Sequence, residues 1–222
     1  MTDKNVVVFG ASEHAKVALD VLEREGKYRV LGLIDTHKPA GGFLAGYRIL
    51  GAEEVMLAMF QRGEIAGAIV AIGDNWTRYR VVEKIKSSAP DFRFISAVHP
   101  SAQIADRVSI GEGTAVMAGA VINPDSVVGS HCIVNTKASL DHDCRMGDFS
   151  SLAPGVTLGG AARIGAFSAI SLGANVIHGK TIGAHTVIGA GALVLTDIPD
   201  HCVAYGVPAK VIRGRREGEK YL

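Results

Sequence analysis

Aliphatic side chains recur at every sixth position over the C-terminal part of the chain. From Val98 to Val194, all seventeen positions in this series hold isoleucine, leucine, valine or methionine, and the series has no gap. Since these residue types occupy only about a third of an average sequence, an unbroken series of this length does not arise by chance. The period predicts a structural repeat of six residues.

The neighbours of each aliphatic position indicate how the repeat is built. The position two residues earlier is mostly small, and glycine often follows the aliphatic residue, as at Gly111, Gly147 and Gly183. Side chains two residues apart in a strand share a face, so both point inward, and we expect the glycine to permit the corner backbone. The pattern is typical of a parallel β-helix with three flat sides. Three sides of six residues make a coil of 18 residues, which places residue 160 above residue 142.

The N-terminal part of the chain has a different pattern, in which short apolar runs alternate with helical stretches. We predict strands over 5–10, 28–35 and 67–73, and helices over 15–26, 53–63 and 75–88, with a loop around Pro39, Gly41 and Gly42. Strands alternating with helices predict a small parallel sheet. The predicted fold is therefore mixed: a Rossmann-like α/β domain over residues 1–95, followed by a β-helix domain over 96–222 that includes a C-terminal tail.

The predicted parallel sheet has one rim where a ligand would bind. Ligands of such sheets lie beyond the carboxyl ends of the strands, and the helix that opens after Ser12 offers backbone N–H groups to a phosphate. The predicted ligand-binding residues are Gly10, Ala11, Ser12, Glu13, His14, Asp35, Gly73, Asp74, Asn75 and Arg78. The turn is not a GxGxxG motif, so the pattern alone leaves ligand binding open, and His14 fits a solvated helix-start residue equally well.

Charge and cysteine content exclude several classes of function. Lysine and arginine number 23 against 22 aspartates and glutamates, so no basic surplus indicates a nucleic-acid partner. The three cysteines form no CxxC pair, which argues against a disulfide framework or a zinc site. No apolar run approaches a membrane span and no signal peptide is recognised. We expect a cytoplasmic protein without metal or membrane partner.

Several motifs taken together resemble one bacterial family over nearly the whole chain. They are the GASEHA start at residues 10–15, the strand that ends in Asp35, the segment from Gly73 to Arg78, the HPSA junction at 99–102, the unbroken hexapeptide series and the GVPAK ending at 206–210. The chain resembles the hexapeptide-repeat acyltransferases that acetylate nucleotide-linked amino sugars, such as UDP-linked bacillosamine precursors or GDP-perosamine, together with the related sialic acid O-acetyltransferases.

The resemblance implies a left-handed β-helix, acetyl-CoA as cosubstrate, and a homotrimer with each active site between two subunits. It implies transfer of acetyl to the 4-amino group of a UDP- or GDP-linked deoxy sugar, with O-acetylation of sialic acid or a related sugar as the alternative. By the same resemblance His142 is the base, Asp143 orients it, and Asn135 is its polar neighbour in the cleft. The chain departs from the family at Glu13, often glycine there, and at Ser151, often histidine.

The chemistry of these residues fits acetyl transfer. Histidine titrates in the range required of a base that collects the proton of an amine, and a carboxylate on one ring nitrogen favours the imidazolium. Gly160, one coil above His142, is a candidate oxyanion donor through its backbone N–H. The predicted acetyl-CoA contacts are Gly160, Gly173, Ala190, Gly191 and Lys210. A corner histidine such as His142 equally fits a residue that only faces solvent.

A third hypothesis is a non-catalytic scaffold or a zinc-dependent carbonic anhydrase of hexapeptide type. A zinc site of that kind requires three converging histidines. His142 and His178 share a column, and they lie two coils apart at about 4.8 Å per coil. Direct ligation of one metal ion by this pair within one subunit is therefore disfavoured.

Overall fold

In the computed structural model, which describes residues 4–221, the N-terminal part forms a five-stranded sheet with three helices. The strands are β1 (Asn5–Phe9), β2 (Arg29–Ile34), β3 (Phe43–Leu44), β4 (Tyr47–Gly51) and β5 (Gly67–Val70), and the helices are α1 (Glu13–Glu25), α2 (Glu53–Gln61) and α3 (Asn75–Ser88). The strand order is β3-β4-β2-β1-β5, and every pair except β3–β4 is parallel. The predicted parallel α/β fold is confirmed.

The hairpin of β3 and β4 was not predicted. The sequence pattern indicated a loop before α2, whereas β4 pairs in parallel with β2 and extends the sheet. The turn residues Ala45 and Gly46 both have positive φ, 48° and 82°, as a two-residue hairpin of type I′ requires. Alanine in place of the usual asparagine or aspartate at the first turn position hid this signal.

From Ala97 onward the chain winds into a prism of three parallel sheets. Sheet I contains Ala97–Val98, Ala115–Val116, Ile133–Val134, Ser151–Leu152, Ala169–Ile170 and Val187–Ile188, extended by the antiparallel hairpin Cys202–Gly206 and Ala209–Gly214. Sheet II contains Gln103–Ile104, Val121–Ile122, Ser139–Leu140, Thr157–Leu158, Asn175–Val176 and Leu193–Val194. Sheet III contains Ser109–Ile110, Val127–Val128, Arg145–Met146, Arg163–Ile164 and Thr181–Ile182. This is the predicted left-handed parallel β-helix. The boundary predicted between residues 95 and 96 falls just before its first strand.

The aliphatic series fills the axis of the prism. Paired strands are offset by one coil of 18 residues, as for Leu140 and Leu158, and every member from Val116 to Val194 is at most 3% exposed. Ile104, in the first coil, is 37% exposed because it has packing neighbours on one side only. Burial of this column removes a large apolar area from water and stabilises the prism.

The glycines that follow the aliphatic residues do not have the role predicted for them. Positive φ values occur two positions later, at His131 (54°), Phe149 (57°) and Ala161 (59°) among others. Instead, a Cβ at Gly147 would lie 2.6 Å from the backbone nitrogen of Ala166 in the next coil. These glycines are therefore required because the backbones of successive coils approach closely there.

The three edges of the prism are named by the sheets they join. Edge I/II contains residues 135–138, 153–156, 171–174 and 189–192. Edge II/III contains 141–144, 159–162 and 177–180. Edge III/I contains 129–132, 147–150, 165–168 and 183–186.

Edge III/I carries a column of stacked rings that the sequence pattern did not predict. The column runs through His131, Phe149, Phe167, His185 and His201, with successive centroids 4.6–5.4 Å apart and ring planes within 11° of parallel. Tyr79 of α3 packs edge-on against Phe149 and Phe167. The stack thus holds the α/β domain against the prism.

The buried His131 should make the free energy of unfolding depend on pH. Burial is the main reason why the pKa of His131 is lowered to about 4. The negative charge of Glu112 opposes this shift, and the positive charges of Lys86 and Arg78 add to it. As pH falls below about 6.5, the histidine is protonated in the unfolded chain but stays neutral in the folded chain. The contribution of His131 to the free energy of unfolding is therefore fully present above about pH 6.5 and is lost as pH falls toward 4. Between pH 7.5 and 5, we expect the free energy of unfolding, measured in urea, to fall by about 2 kcal/mol less in His131→Phe than in the wild type.

A matched control is available in the exposed His178. The variant His178→Phe should leave the pH dependence of unfolding as in the wild type. Equal pH dependence in His131→Phe and the wild type would contradict the role assigned to the stack histidine.

Candidate functional site

A cleft of about 430 Å³ lies between the α/β domain and edge I/II of the prism. The α/β domain contributes His14 and Gly73, and the C-terminal tail contributes Tyr221. The prism lines the cleft with Ile133, Asn135, Ser151, Leu152, Ala153, Pro154, Ala169, Ile170, Ser171, Leu172 and Ala190. The wall is mostly apolar with a few polar groups, as is usual for a site that binds a small molecule.

The loop between β1 and α1 is shaped by Asp35. Its carboxylate accepts the backbone N–H groups of Ala11 (2.9 Å), His37 (2.8 Å) and Lys38 (3.0 Å). Gly10 has φ +109°, and a Cβ there would lie 2.9 Å from the Ala71 carbonyl oxygen. These contacts fix the path of the loop up to the start of α1, where no side chain caps the helix.

The predicted rim residues Gly10, Ala11, Ser12 and His14 share this loop with Asp35. Glu13 points to solvent, where its carboxylate pairs with Lys16 at 2.6 Å. Backbone N–H groups of an uncapped helix start attract anions such as phosphate. Ligand binding by these residues stays a prediction.

Sequence reasoning missed Lys38 at this rim. Its ammonium group donates a hydrogen bond to the Ala11 carbonyl oxygen, which places a cation beside the start of α1. The available signal was its position three residues after Asp35, which directly follows β2. A lysine so placed adds positive charge where a phosphate would bind.

His14 faces the cleft as a neutral group. Burial, together with a smaller effect of the nearby Arg78 guanidinium, lowers the pKa of His14 to about 4. A neutral imidazole can donate and accept one hydrogen bond each, which suits it to a sugar hydroxyl group or an amine.

The structure does not leave Asn75 and Arg78 available to a ligand, which corrects the prediction for both. Each is 1% exposed. Arg78 donates to the carbonyl oxygens of His131 (2.8 Å) and Phe149 (3.2 Å). The Asn75 side-chain amide donates to the carbonyl oxygen of Ser168 (3.1 Å). They fasten α3 to edge III/I because the start of this helix lies against the prism.

Asp74 caps a helix, whereas Gly73 lies in the wall of the cleft. The Asp74 carboxylate accepts the Thr77 N–H at 2.8 Å and so caps α3. Of the predicted segment 73–78, only Gly73 lines the cleft.

His142 lies on edge II/III and is paired with its neighbour Asp143. Its Nδ1 atom is 2.7 Å from Asp143 Oδ2, and the side chains are 61% and 60% exposed. The hydrogen bond with Asp143, together with the charge of Asp141, raises the pKa of His142. The pair has the geometry of a base held by a carboxylate, with Nε2 directed away from Asp143.

Gly160 sits on the His142 ring, as the 18-residue coil predicts. A Cβ at this position would lie 2.7 Å from His142 Nε2. The Asp141 carboxylate accepts the His142 backbone N–H (2.8 Å) and the Asn123 amide (3.0 Å), and these contacts, with a smaller contribution from the Gly160 backbone N–H, lower the pKa of Asp141. An oxyanion role for the Gly160 N–H stays a prediction.

Replacement of Gly160 by alanine should displace the base without unfolding the prism. Its φ is not in the left-handed region, so the backbone accepts alanine, but the new methyl group must push the His142 ring aside. We expect kcat to fall by about 10- to 100-fold, the usual cost of a misplaced catalytic group. The control is Gly214→Ala, whose Cβ would meet its nearest atom at 3.9 Å. A wild-type kcat in Gly160→Ala would show that the position of this ring is unimportant.

Within one chain the base and the cleft lie on different edges. His142 is on edge II/III with Gly160 and His178, whereas the cleft opens on edge I/II, and sheet II separates them. Asn135 lines the cleft, as the resemblance implies, whereas His142 of the same subunit lies on the other edge. The segment 135–144 turns two corners, which the resemblance did not reveal.

The predicted acetyl-CoA contacts divide between the same two edges. Gly173, Ala190 and Gly191 lie on edge I/II, where a Cβ at either glycine would meet no atom within 4 Å. Lys210 is exposed on the terminal hairpin. A cofactor that touched all of these residues together with Gly160 would have to contact two edges of a prism.

Over residues 4–221, no three histidine, cysteine, aspartate or glutamate side chains are placed to hold one metal ion. None of the helices in that range has the length and apolarity needed to cross a bilayer.

Comparison with known proteins identifies the family. Residues 5–85 match the model of the PglD N-terminal domain. The chain is 39% identical to PerB from Caulobacter crescentus, solved in complex with CoA and GDP-perosamine, over 94% of this chain and 97% of that one, with a TM-score of 0.87. This chain belongs to the acetyl-CoA-dependent sugar N-acetyltransferases.

Two further acetyltransferases are similar to the chain. The acetyltransferase domain of PglB from Neisseria gonorrhoeae, solved with acetyl coenzyme A, is 32% identical over 94% of this chain and 99% of that one, with a TM-score of 0.86. The GDP-perosamine N-acetyltransferase of Escherichia coli O157:H7 is 26% identical over 160 residues, 69% of each chain. The predicted family and cosubstrate are thereby confirmed.

Proposed function

We propose that this N-acetyltransferase transfers the acetyl group of acetyl-CoA to the 4-amino group of a nucleotide-linked deoxy-amino sugar. The observation that carries the proposal is the His142–Asp143 pair at an open edge, with its hydrogen bond of 2.7 Å. Relatives that bind GDP-perosamine with CoA supply the class of acceptor.

His142 acts as the base in the proposed reaction. With Nδ1–H donated to Asp143, the Nε2 lone pair accepts the proton released as the amine nitrogen attacks the thioester carbonyl. The new N–C bond forms, the C–S bond breaks, and the imidazolium returns the proton to the departing CoA thiolate. Because Asp143 raises the pKa of His142, the imidazolium intermediate is stabilised, and activity should fall as pH drops through that pKa.

The rim of the α/β domain is the proposed site of the nucleotide diphosphate. The uncapped start of α1 and the Lys38 ammonium both favour negative charge. From this rim the sugar would enter the cleft past His14, where apolar side chains such as Leu152 and Ala153 fit the deoxy position of the sugar.

A trimer would unite the cleft with the base. If three parallel prisms surround a threefold axis with sheet II of each facing inward, edge I/II of one subunit meets edge II/III of the next. The outward positions of sheet II carry no charge, as expected of a surface buried between subunits. These positions are Gln103, Val121, Ser139, Thr157, Asn175 and Leu193. In this arrangement each active site takes its cleft from one chain and His142 from its neighbour.

The proposed activity is tested by thiol release from acetyl-CoA with a panel of acceptors. The panel contains UDP-, GDP- and dTDP-linked 4-amino sugars, the corresponding 4-hydroxy sugars, and a sialic acid. Release with at least one amino sugar, and an added acetyl group on nitrogen in the product, is the expected result. Release with the sialic acid alone would assign O-acetylation instead.

A further inference from the structure

The C-terminal tail folds back onto the junction between the α/β domain and the prism. After the strand Ala209–Gly214, the Arg215 side chain turns inward, is 8% exposed, and donates to the carbonyl oxygens of His185 (3.0 Å) and Glu219. Gly218, at φ +71°, lies against the Trp76 indole so closely that a Cβ would be 2.7 Å from its nitrogen. The tail is therefore anchored at two points before it reaches Tyr221.

Tyr221 bridges the two halves of the chain at the cleft. Its hydroxyl oxygen accepts the Asn75 backbone N–H at 3.2 Å, and Ser151 on sheet I lines the same cleft. The Arg215 guanidinium lies 5.4 Å from the centre of its ring. Asn75 is fixed by the interdomain contacts of α3, so the phenol has a rigid support.

The ring of Tyr221 is one wall of the cleft that also contains His14 and Asn135. Burial raises the pKa of Tyr221, so its phenol keeps its proton at neutral pH. Tyrosine offers an apolar face and a polar tip on a side chain with few rotatable bonds, which suits recognition of a sugar ring. The other polar groups in this cleft come from the loop before α1 and from the prism.

We propose that Tyr221 binds the acceptor sugar and helps to determine which sugar is accepted, with Arg215 as its positioning residue. This inference rests on the proposed function, because it assigns the sugar to this cleft. The ring packs on the sugar, and the hydroxyl group contacts a polar substituent of it. The tail thus completes a site that the α/β domain and the prism leave open on one side.

Steady-state kinetics of Tyr221→Ala and Tyr221→Phe test the proposal. We expect Tyr221→Ala to raise the KM for the nucleotide sugar by about 10- to 100-fold and Tyr221→Phe by about 2- to 10-fold, with the KM for acetyl-CoA unchanged. Lys220→Ala, an exposed neighbour on the same tail, is the matched control and should behave as the wild type. A merely structural role would instead lower the melting temperature and change both KM values.

The variant Arg215→Ala separates positioning from direct contact. It should raise the same KM, and the double variant with Tyr221→Ala should be no worse than Tyr221→Ala alone, since Arg215 acts through the ring. If the wild type is active and Tyr221→Ala has the same KM for the nucleotide sugar, the role of Tyr221 is wrong and the proposed function stands. If the wild type releases no thiol with any amino sugar, the proposed function fails and this inference fails with it.

Discussion

Replacement of His142 by alanine is expected to lower kcat by about 10²- to 10⁴-fold while the protein stays folded. The range is the usual contribution of a general base. The side chain is 61% exposed and its hydrogen-bond partner is the adjacent Asp143, so its removal leaves no cavity in the axial core. The measurement is kcat for thiol release at saturating substrates, with the melting temperature recorded alongside.

Two further variants complete the test of the base. His178→Ala removes an exposed histidine from the same edge and should keep the wild-type kcat. Asp143→Asn removes the group that does most to raise the pKa of His142, so the acidic limb of the kcat/KM profile should move to lower pH as the maximum falls. A His142→Ala enzyme as active as the wild type would show that another group collects the proton.

Mixed trimers should recover activity from two inactive chains. His142→Ala lacks the base, and His14→Trp places a large ring in the cleft that His14 lines. If each site joins the cleft of one subunit to His142 of the next, every trimer that contains both chains has one intact site of three. Co-expression with two different tags and purification on both should therefore give about one third of the wild-type kcat per trimer.

The parent variants and the assembly mass control this experiment. Each variant alone should have less than about 1% of wild-type activity, and light scattering should give the mass of a trimer for all samples. Doubly purified mixed trimers as inactive as their parents would place the whole site within a single chain.

The β-helix could be predicted in detail because its period is directly visible in the sequence. A column with one aliphatic residue per side leaves no alternative register, and the coil length then places Gly160 on the His142 ring. The role of the glycines after each aliphatic residue could not be predicted in the same way. Whether a glycine serves a positive φ or a close backbone approach depends on the neighbouring coil, which the local sequence does not reveal.

The interdomain contacts escaped prediction for a related reason. Arg78 looks like a rim residue because it follows a strand, yet it is buried against edge III/I. The ring column was visible in principle, since His131, Phe149, Phe167 and His185 are 18 residues apart. A polar residue near a strand end can bind a ligand or another part of the chain, and only the packed structure distinguishes the two.

The division of the site between two edges of the prism is the feature that sequence motifs conceal most completely. Asn135 and His142 are seven residues apart in sequence but face different edges, because two corners lie within that segment. In the proposed trimer, the two ends of this segment therefore belong to two different active sites.

A crystal structure with CoA and the accepted nucleotide amino sugar tests this arrangement most directly. We expect the sugar to lie in the cleft of one subunit with its amine nitrogen about 3 Å from Nε2 of His142 in the neighbouring subunit. An amine that binds beyond hydrogen-bonding reach of every His142 side chain would contradict it.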